Sequence, residues 1–195
     1  MNFPEIYLAS KSPRRRELLT QIAVKFSVLP ADVDESRLSG ESPKDYVRRV
    51  AIAKAQAGWD SLADADKKPV LGSDTSVILE NTVLGKPIDE QNAKQMLQQL
   101  SGRNHQVMTA VAVVSNNGVQ CELSISNVTF AVLSDADIAW YIATKEGTDK
   151  AGGYAVQGLA AVFIDKIEGS YSAIMGLPLR EMSLMLMQLA GQDNE

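Results

Sequence analysis

His105-Gln-Val-Met-Thr-Ala-Val-Ala-Val-Val-Ser115 is followed by the turn residues Asn116-Asn117-Gly118 and then by Ser124-Ile-Ser-Asn-Val-Thr-Phe-Ala-Val-Leu133. Both long runs are rich in β-branched and apolar residues, and the Asn-Asn-Gly between them is a tight-turn signal. Two consecutive strands joined so closely must pair antiparallel. Elsewhere strands and helices alternate, which is the pattern of an α/β fold with parallel pairing. Together the two signals predict one α/β fold with a mixed sheet.

Before this pair, Ile6–Ala9 and Phe26–Leu29 read as short strands, and Val70–Leu71 and Val77–Leu79 as parts of a third. A turn at Glu80-Asn81-Thr82 precedes Val83–Leu84. Helices are expected from Ser12-Pro13, with Ser as N-cap, Pro at the first position and Leu18, Leu19, Ile22 and Ala23 as the apolar face. Others are expected from Ser42-Pro43 to about Gly58, and from Glu90 to Leu100 with its end at Ser101-Gly102. After the long pair come a helix near Asp135–Thr144, a glycine-rich stretch, strands around Val162–Ile167 and Ser172–Met175, and an amphipathic helix over Pro178–Ala190. No repeat, low-complexity tract or linker interrupts the 195 residues, so residues 1–195 read as a single domain.

Composition narrows the chemistry. Apolar residues make up 45% and charged residues 22%, which is ordinary globular usage. No apolar run suggests a membrane span or a signal peptide. The single cysteine, Cys121, excludes an intrachain disulfide, and a reducing, cytoplasmic setting is the simplest fit. With one histidine, His105, and one cysteine, neither a zinc site nor a Ser-His-Asp triad is expected. Net charge of −5 argues against a general nucleic-acid binder, while a small anionic ligand needs only a few local cations. The sequence is compatible with a homodimer.

Three features break the local rules. Arg14, Arg15 and Arg16 crowd a helix N-terminus, where cations are unfavourable unless an anion joins them. The alternative is that they are solvated or paired with Glu17 and other carboxylates; Arg16 is the one expected to face solvent. Asp74 sits at the polar centre of Pro69-Val-Leu-Gly-Ser-Asp-Thr-Ser-Val-Ile-Leu79, so a carboxylate is buried in a strand. It needs either a structural partner or a role as metal ligand or base. Gly72 in the same strand would let a ligand approach the backbone. Lys54 lies on the apolar stripe of Val47, Val50 and Ala51, where it either snorkels to water or projects toward Asp74. Asp32, Asp34 and Glu35 form a loop cluster that is either a solvated surface or a cation site.

These residues sit in motifs that resemble one family. Ser10-Lys-Ser-Pro-Arg-Arg15, Gly72-Ser-Asp-Thr75, Leu84-Gly-Lys-Pro87, Ser101-Gly-Arg-Asn-His105, Asp149-Lys-Ala-Gly152, Gln157-Gly158 and Gly176-Leu-Pro178 follow the order of the motifs of the Maf nucleotide pyrophosphatases. Gly153 and Ala155 are the two departures. The resemblance implies an inosine-triphosphatase-like fold, an elongated twisted mixed sheet with two lobes around a central cleft. It implies a divalent cation and a cytoplasmic location; Mg²⁺ or Mn²⁺ is expected on Glu35, with Asp74 either a second ligand or the base. It implies Asp74 as proton acceptor, with Ser10, Arg14, Arg15, Lys54, Thr75, Lys86 and Gln157 as substrate-binding residues. Arg14, Thr75 and Gln157 follow the dTTP/UTP pattern, whereas the related 7-methyl-GTP pyrophosphatases have Trp, Gln and Glu there. A glutamine amide can both donate to and accept from a uracil or thymine edge. The expected function is therefore hydrolysis of dTTP and UTP, or of modified pyrimidine nucleotides, to the monophosphate and pyrophosphate. A non-catalytic nucleotide-sensing regulator of septum formation and a 7-methyl-GTP-type enzyme are the alternatives.

Overall fold

The computed structural model describes residues 2–192. Among them, seven strands form one mixed sheet: β1 (Ile6–Leu8), β2 (Phe26–Val28), β3 (Val70–Leu79), β4 (Thr82–Leu84), β5 (Asn104–Ser115), β6 (Gly118–Phe130) and β7 (Ile164–Glu168). Their order is β2-β1-β3-β5-β6-β7, with β4 pairing β3 off this path. β1 runs parallel to both β2 and β3, whereas β3 with β4 and β6 with β7 are antiparallel. The helices are α1 (Pro13–Gln21), α2 (Pro43–Asp60), α3 (Glu90–Leu100), α4 (Asp135–Ala143), α5 (Tyr171–Ile174) and α6 (Leu179–Gln192). The expected mixed-sheet α/β class is what the chain adopts. None of the described helices is long and apolar enough to cross a membrane.

Two compact units are distinguished within the chain. The first comprises Met1–Asp74, Thr109–Ser124 and Gly176–Glu195; the second comprises Thr75–Met108 and Ile125–Met175. In the first, α2 packs its Val47, Val50, Ala51 and Ala55 face against the sheet, each of them fully buried. Gly58 on the same helix faces Val70 and Ala9, and a Cβ there would lie 2.8 Å from Val70 Cγ1. The second unit has its own core, built on Leu97, Leu100, Val128, Phe130, Ile138, Tyr141 and Phe163. His105, Phe130, Tyr154 and Phe163 meet edge to face within that unit.

Several local expectations change. Ser12 holds the N-cap position of α1 but its side chain makes no cap bond; instead its N–H donates to Ser10 Oγ at 3.2 Å. α1 ends at Gln21, so Ile22 is its C-cap, and Ala23 is exposed with a left-handed φ of 58°. β6 begins at Gly118 rather than Ser124, because Asn116-Asn117 alone makes the turn, and it stops at Phe130. The stretch Leu159–Phe163 is a 3₁₀ turn that delays β7 to Ile164. Tyr171–Ile174 is a helix, not a strand, since Ser170 Oγ accepts the Ala173 N–H at 3.2 Å and caps it.

Candidate active site

β3 and α2 come together because of a glycine. A Cβ on Gly72 would lie 2.4 Å from the Ala51 carbonyl oxygen and 2.5 Å from the Ala55 nitrogen, both backbone atoms of α2. Gly72 therefore admits a helix rather than a ligand. Residues two apart in a strand share a face, so Asp74 points the same way, and Lys54 lies between Ala51 and Ala55 on the helix that Gly72 admits. Lys54 Nζ donates to Asp74 Oδ1 at 2.9 Å. The ammonium is also 2.9 Å from Glu35 Oε1, in the loop between β2 and α2. The Lys54 and Asp74 side chains are 11% and 8% exposed and that of Glu35 is 49% exposed, so the pair is buried and one carboxylate opens to solvent.

Asp74 thus has the structural partner its burial demanded, and that partner is the lysine on the apolar stripe. Breaking a buried pair by removing one member usually costs ~3–5 kcal/mol, because the other charge stays behind. Here Glu35 remains beside Lys54 when Asp74 is removed, which softens that cost.

Arg15 occupies the same unit. Its Nε donates to the Gly176 carbonyl at 2.8 Å and its Nη1 to Ser10 Oγ at 3.0 Å. Burial pushes the guanidinium below its ordinary pKa, while the nearby charge of Asp74 opposes that shift. Ser10 Oγ accepts from both Arg15 and the Ser12 N–H, which fills its two lone pairs and leaves its hydrogen to donate. Arg14 is half-buried and Arg16 is exposed, as expected for Arg16.

Two residues escaped the sequence reading. Ser73 is fully buried and its hydroxyl lies 2.8 Å from the Ala110 carbonyl and 3.0 Å from that of Gly176. The Gly176 carbonyl therefore serves both Arg15 and Ser73, tying α1 and β3 to the segment before α6. Gly176 has a φ of 115°, which explains the glycine of Gly176-Leu-Pro178. Tyr46 donates its hydroxyl to the Glu35 backbone carbonyl at 2.9 Å and steadies that loop. Burial first, then the charges of Asp74 and Glu35, push its phenol up. The signal was present: Tyr46, Val50 and Lys54 recur every four residues on one helix face.

Thr75, Lys86 and Gln157 belong to the second unit. Thr75 follows Asp74 on β3 and is half-buried; Lys86 is exposed after β4. Gln157 is exposed in the turn before Leu159–Phe163. Asp32 and Asp34 are exposed, and Asp34 Oδ1 accepts the Ser36 N–H at 2.8 Å, so they act as loop residues. His105 is a core residue, 2% exposed, with Nε2 2.8 Å from Tyr154 Oη. Cys121 lies within β6, half-buried, as strand filler.

The fold is a mixed-sheet α/β one in which two carboxylates meet on one buried ammonium, with arginines at a helix start of the same unit. The chain belongs to the Maf family: the model for Maf-like protein matches residues 5–189. The chain is similar to the dTTP/UTP pyrophosphatase of Shewanella oneidensis, 50% identical over 186 residues that cover 93% of this chain and 96% of the other. That of Ralstonia nicotianae is 52% identical over 196 residues, covering 96% and 95%. That of Saccharophagus degradans is 52% identical over 186 residues, covering 95% and 89%. The solved structure of the Staphylococcus aureus Ham1 protein has a TM-score of 0.46 and 18% identity, over 65% of this chain and 72% of that one.

Proposed function

We propose that this protein hydrolyses dTTP and UTP to the monophosphate and pyrophosphate. The observation that carries the reading is the Lys54 ammonium held 2.9 Å from both Asp74 and Glu35, in a chain about half identical to enzymes named dTTP/UTP pyrophosphatase. In this reading water attacks the α-phosphorus, the bond from that phosphorus to the bridging oxygen breaks, and pyrophosphate leaves with the bonding pair. Asp74 orients the water and accepts its proton, and burial beside Lys54 fixes that carboxylate in one place. Lys54, Arg15, Arg14 and Lys86 balance the charge of the triphosphate and of the departing pyrophosphate. Ser10 offers its O–H to a phosphate oxygen, and the first turn of α1, without a side-chain cap from Ser12, offers backbone N–H groups. Thr75 and Gln157 select the base, Gln157 by donating to the pyrimidine carbonyl and accepting from the ring N–H.

The residues present suit a hard divalent cation. Glu35 and Asp74 turn carboxylate oxygens toward one cationic point. Among the described residues no group of three or more His, Cys, Asp and Glu side chains is gathered. Mg²⁺ commonly takes one or two carboxylates and completes its shell with water and substrate phosphates. Glu35 and Asp74 would hold it; when bound, it would neutralise phosphate charge and lower the pKa of water. We place the reaction in the cytoplasm, consistent with a lone thiol.

The test is release of pyrophosphate, against phosphate, over a panel of nucleoside triphosphates, with Mg²⁺, with Mn²⁺ and with excess chelator. Pyrophosphate from dTTP and UTP that stops on chelation is expected. Release of phosphate alone would overturn the pyrophosphate-releasing reading, and binding without turnover would overturn it in favour of a nucleotide sensor.

A further inference from the structure

The turn that carries Gln157 is held from both sides by one hydrogen-bonded chain. The Ala155 N–H donates to Tyr141 Oη at 3.2 Å, and the Tyr141 O–H donates to Glu146 Oε2 at 2.9 Å. The same carboxylate accepts the Leu159 N–H, at 3.1 Å to Oε1 and 3.0 Å to Oε2. Between these anchors, the Gly158 N–H closes back on the Ala155 carbonyl at 3.1 Å. Tyr141 is 1% exposed and packs in the core of the second unit, so the chain is rooted in a rigid place.

Gly158 shows how closely Glu146 is fitted. Its φ of −109° is open to any residue, so backbone freedom does not require glycine. The space beside it is taken by Glu146: a Cβ there would stand 2.1 Å from Glu146 Oε1 and 2.5 Å from Oε2, so the carboxylate would have to shift. The carboxylate lies directly against the backbone beside Gln157, whose own side chain is exposed.

We propose that Glu146 and Tyr141 are positioning residues for base selection: they fix the Ala155–Leu159 turn so that Gln157 is carried at one place beside the base. This rests on the reading that Gln157 meets the pyrimidine. An amide is nearly symmetric in shape, with donor and acceptor exchanged by a half-turn. One orientation matches uracil or thymine, which present a ring N–H beside a carbonyl. The reverse matches cytosine, which presents a ring acceptor beside an amino group. A held turn keeps the amide within reach of the base edge, and a released turn weakens that contact and the discrimination it gives. The specificity of the site therefore extends to the two residues beneath the turn.

The experiment compares wild type with Glu146→Ala, Glu146→Gln and Tyr141→Phe, measuring kcat and KM for UTP and CTP, Tm, and amide exchange at Leu159. Glu146→Ala is expected to raise KM for UTP about tenfold, leave kcat within about threefold, and lower the UTP-to-CTP ratio of kcat/KM at least about fivefold. Leu159 should exchange faster. Glu146→Gln, which can still accept from Leu159, should recover part of the selectivity, and Tyr141→Phe should lose an intermediate share. Gly158→Ala should harm selectivity alone but add nothing in the Glu146→Ala background. An unchanged UTP-to-CTP ratio in Glu146→Ala, or an equal loss of kcat on both nucleotides with a lowered Tm, would overturn the proposal. If the wild-type protein hydrolyses neither nucleotide, the substrate reading fails separately, and unchanged exchange at Leu159 in Glu146→Ala then overturns the positioning role as well.

Discussion

Lys54 Nζ lies 2.9 Å from Asp74 Oδ1, so the lysine on the apolar face of α2 and the carboxylate at the centre of β3 neutralise one another inside the protein. Each would be untenable alone at that burial. Together they give a fixed, charged acceptor, and Glu35 at 2.9 Å from the same ammonium brings a second carboxylate from a different segment.

Replacing Asp74 with Asn keeps the shape and removes the proton acceptor. We expect kcat/KM for dTTP to fall by about 10²–10⁴-fold, the usual share of a general base. Stability should fall by only ~1–3 kcal/mol, less than for an isolated buried pair, because Lys54 keeps Glu35. Steady-state kinetics with thermal unfolding checks both halves; near-normal turnover would remove Asp74 from the mechanism.

Gly72→Ala tests how the pair is brought together. The new methyl would meet backbone atoms of α2 at 2.4 and 2.5 Å, so the helix must move. Overpacking of this kind costs ~1–3 kcal/mol. Since Lys54 rides on that helix, kcat/KM should fall about 10²-fold although no polar group has been removed. Wild-type activity in a folded Gly72→Ala protein would show that the Lys54–Asp74 geometry is not needed.

Gln157→Glu keeps the side-chain shape and removes its donor. An acceptor would then face the pyrimidine carbonyl, and a mispaired polar group costs ~1–3 kcal/mol. We expect kcat/KM for dTTP and UTP to fall at least about tenfold, with 7-methyl-GTP gaining relative to both. An unchanged ratio across the three nucleotides would mean that Gln157 shapes its turn without reading the base.

His105 makes stability depend on pH. Burial pushes it down from 6.5 to about 4, so the folded protein keeps the ring neutral where the unfolded chain protonates it. Between these values the unfolded state binds more protons, and stability must rise with pH. The contribution is fully present above about pH 6.5 and is lost as pH falls toward 4, on the order of 3 kcal/mol in all. Unfolding midpoints over pH 4–7 should slope upward in the wild type and less so in His105→Phe. Equal slopes would place the acid sensitivity elsewhere.

Much of this molecule was legible along the chain. Glu90–Leu100 is a helix with the bounds its sequence predicts, since Asp89 caps it and the Ser101-Gly102 pair ends it. Val70–Leu79 is one buried strand with Asp74 inside, because the flanking apolar runs leave no other way to place it. The i, i+3, i+4, i+7 spacing put Lys54 on the buried face of its helix before its partner was known. Such features depend on neighbours within one or two turns, and the sequence contains all of those neighbours. The tertiary structure alone decided that Gly72 admits α2 and not a ligand, and that one ammonium serves both Asp74 and Glu35. It also decided that Tyr171–Ile174 coils into a capped turn of helix, and that Glu146 holds the Gln157 turn. These depend on which distant backbone atoms come within a few ångströms, and that distance is set by the packing of whole elements, which no local pattern of residues encodes.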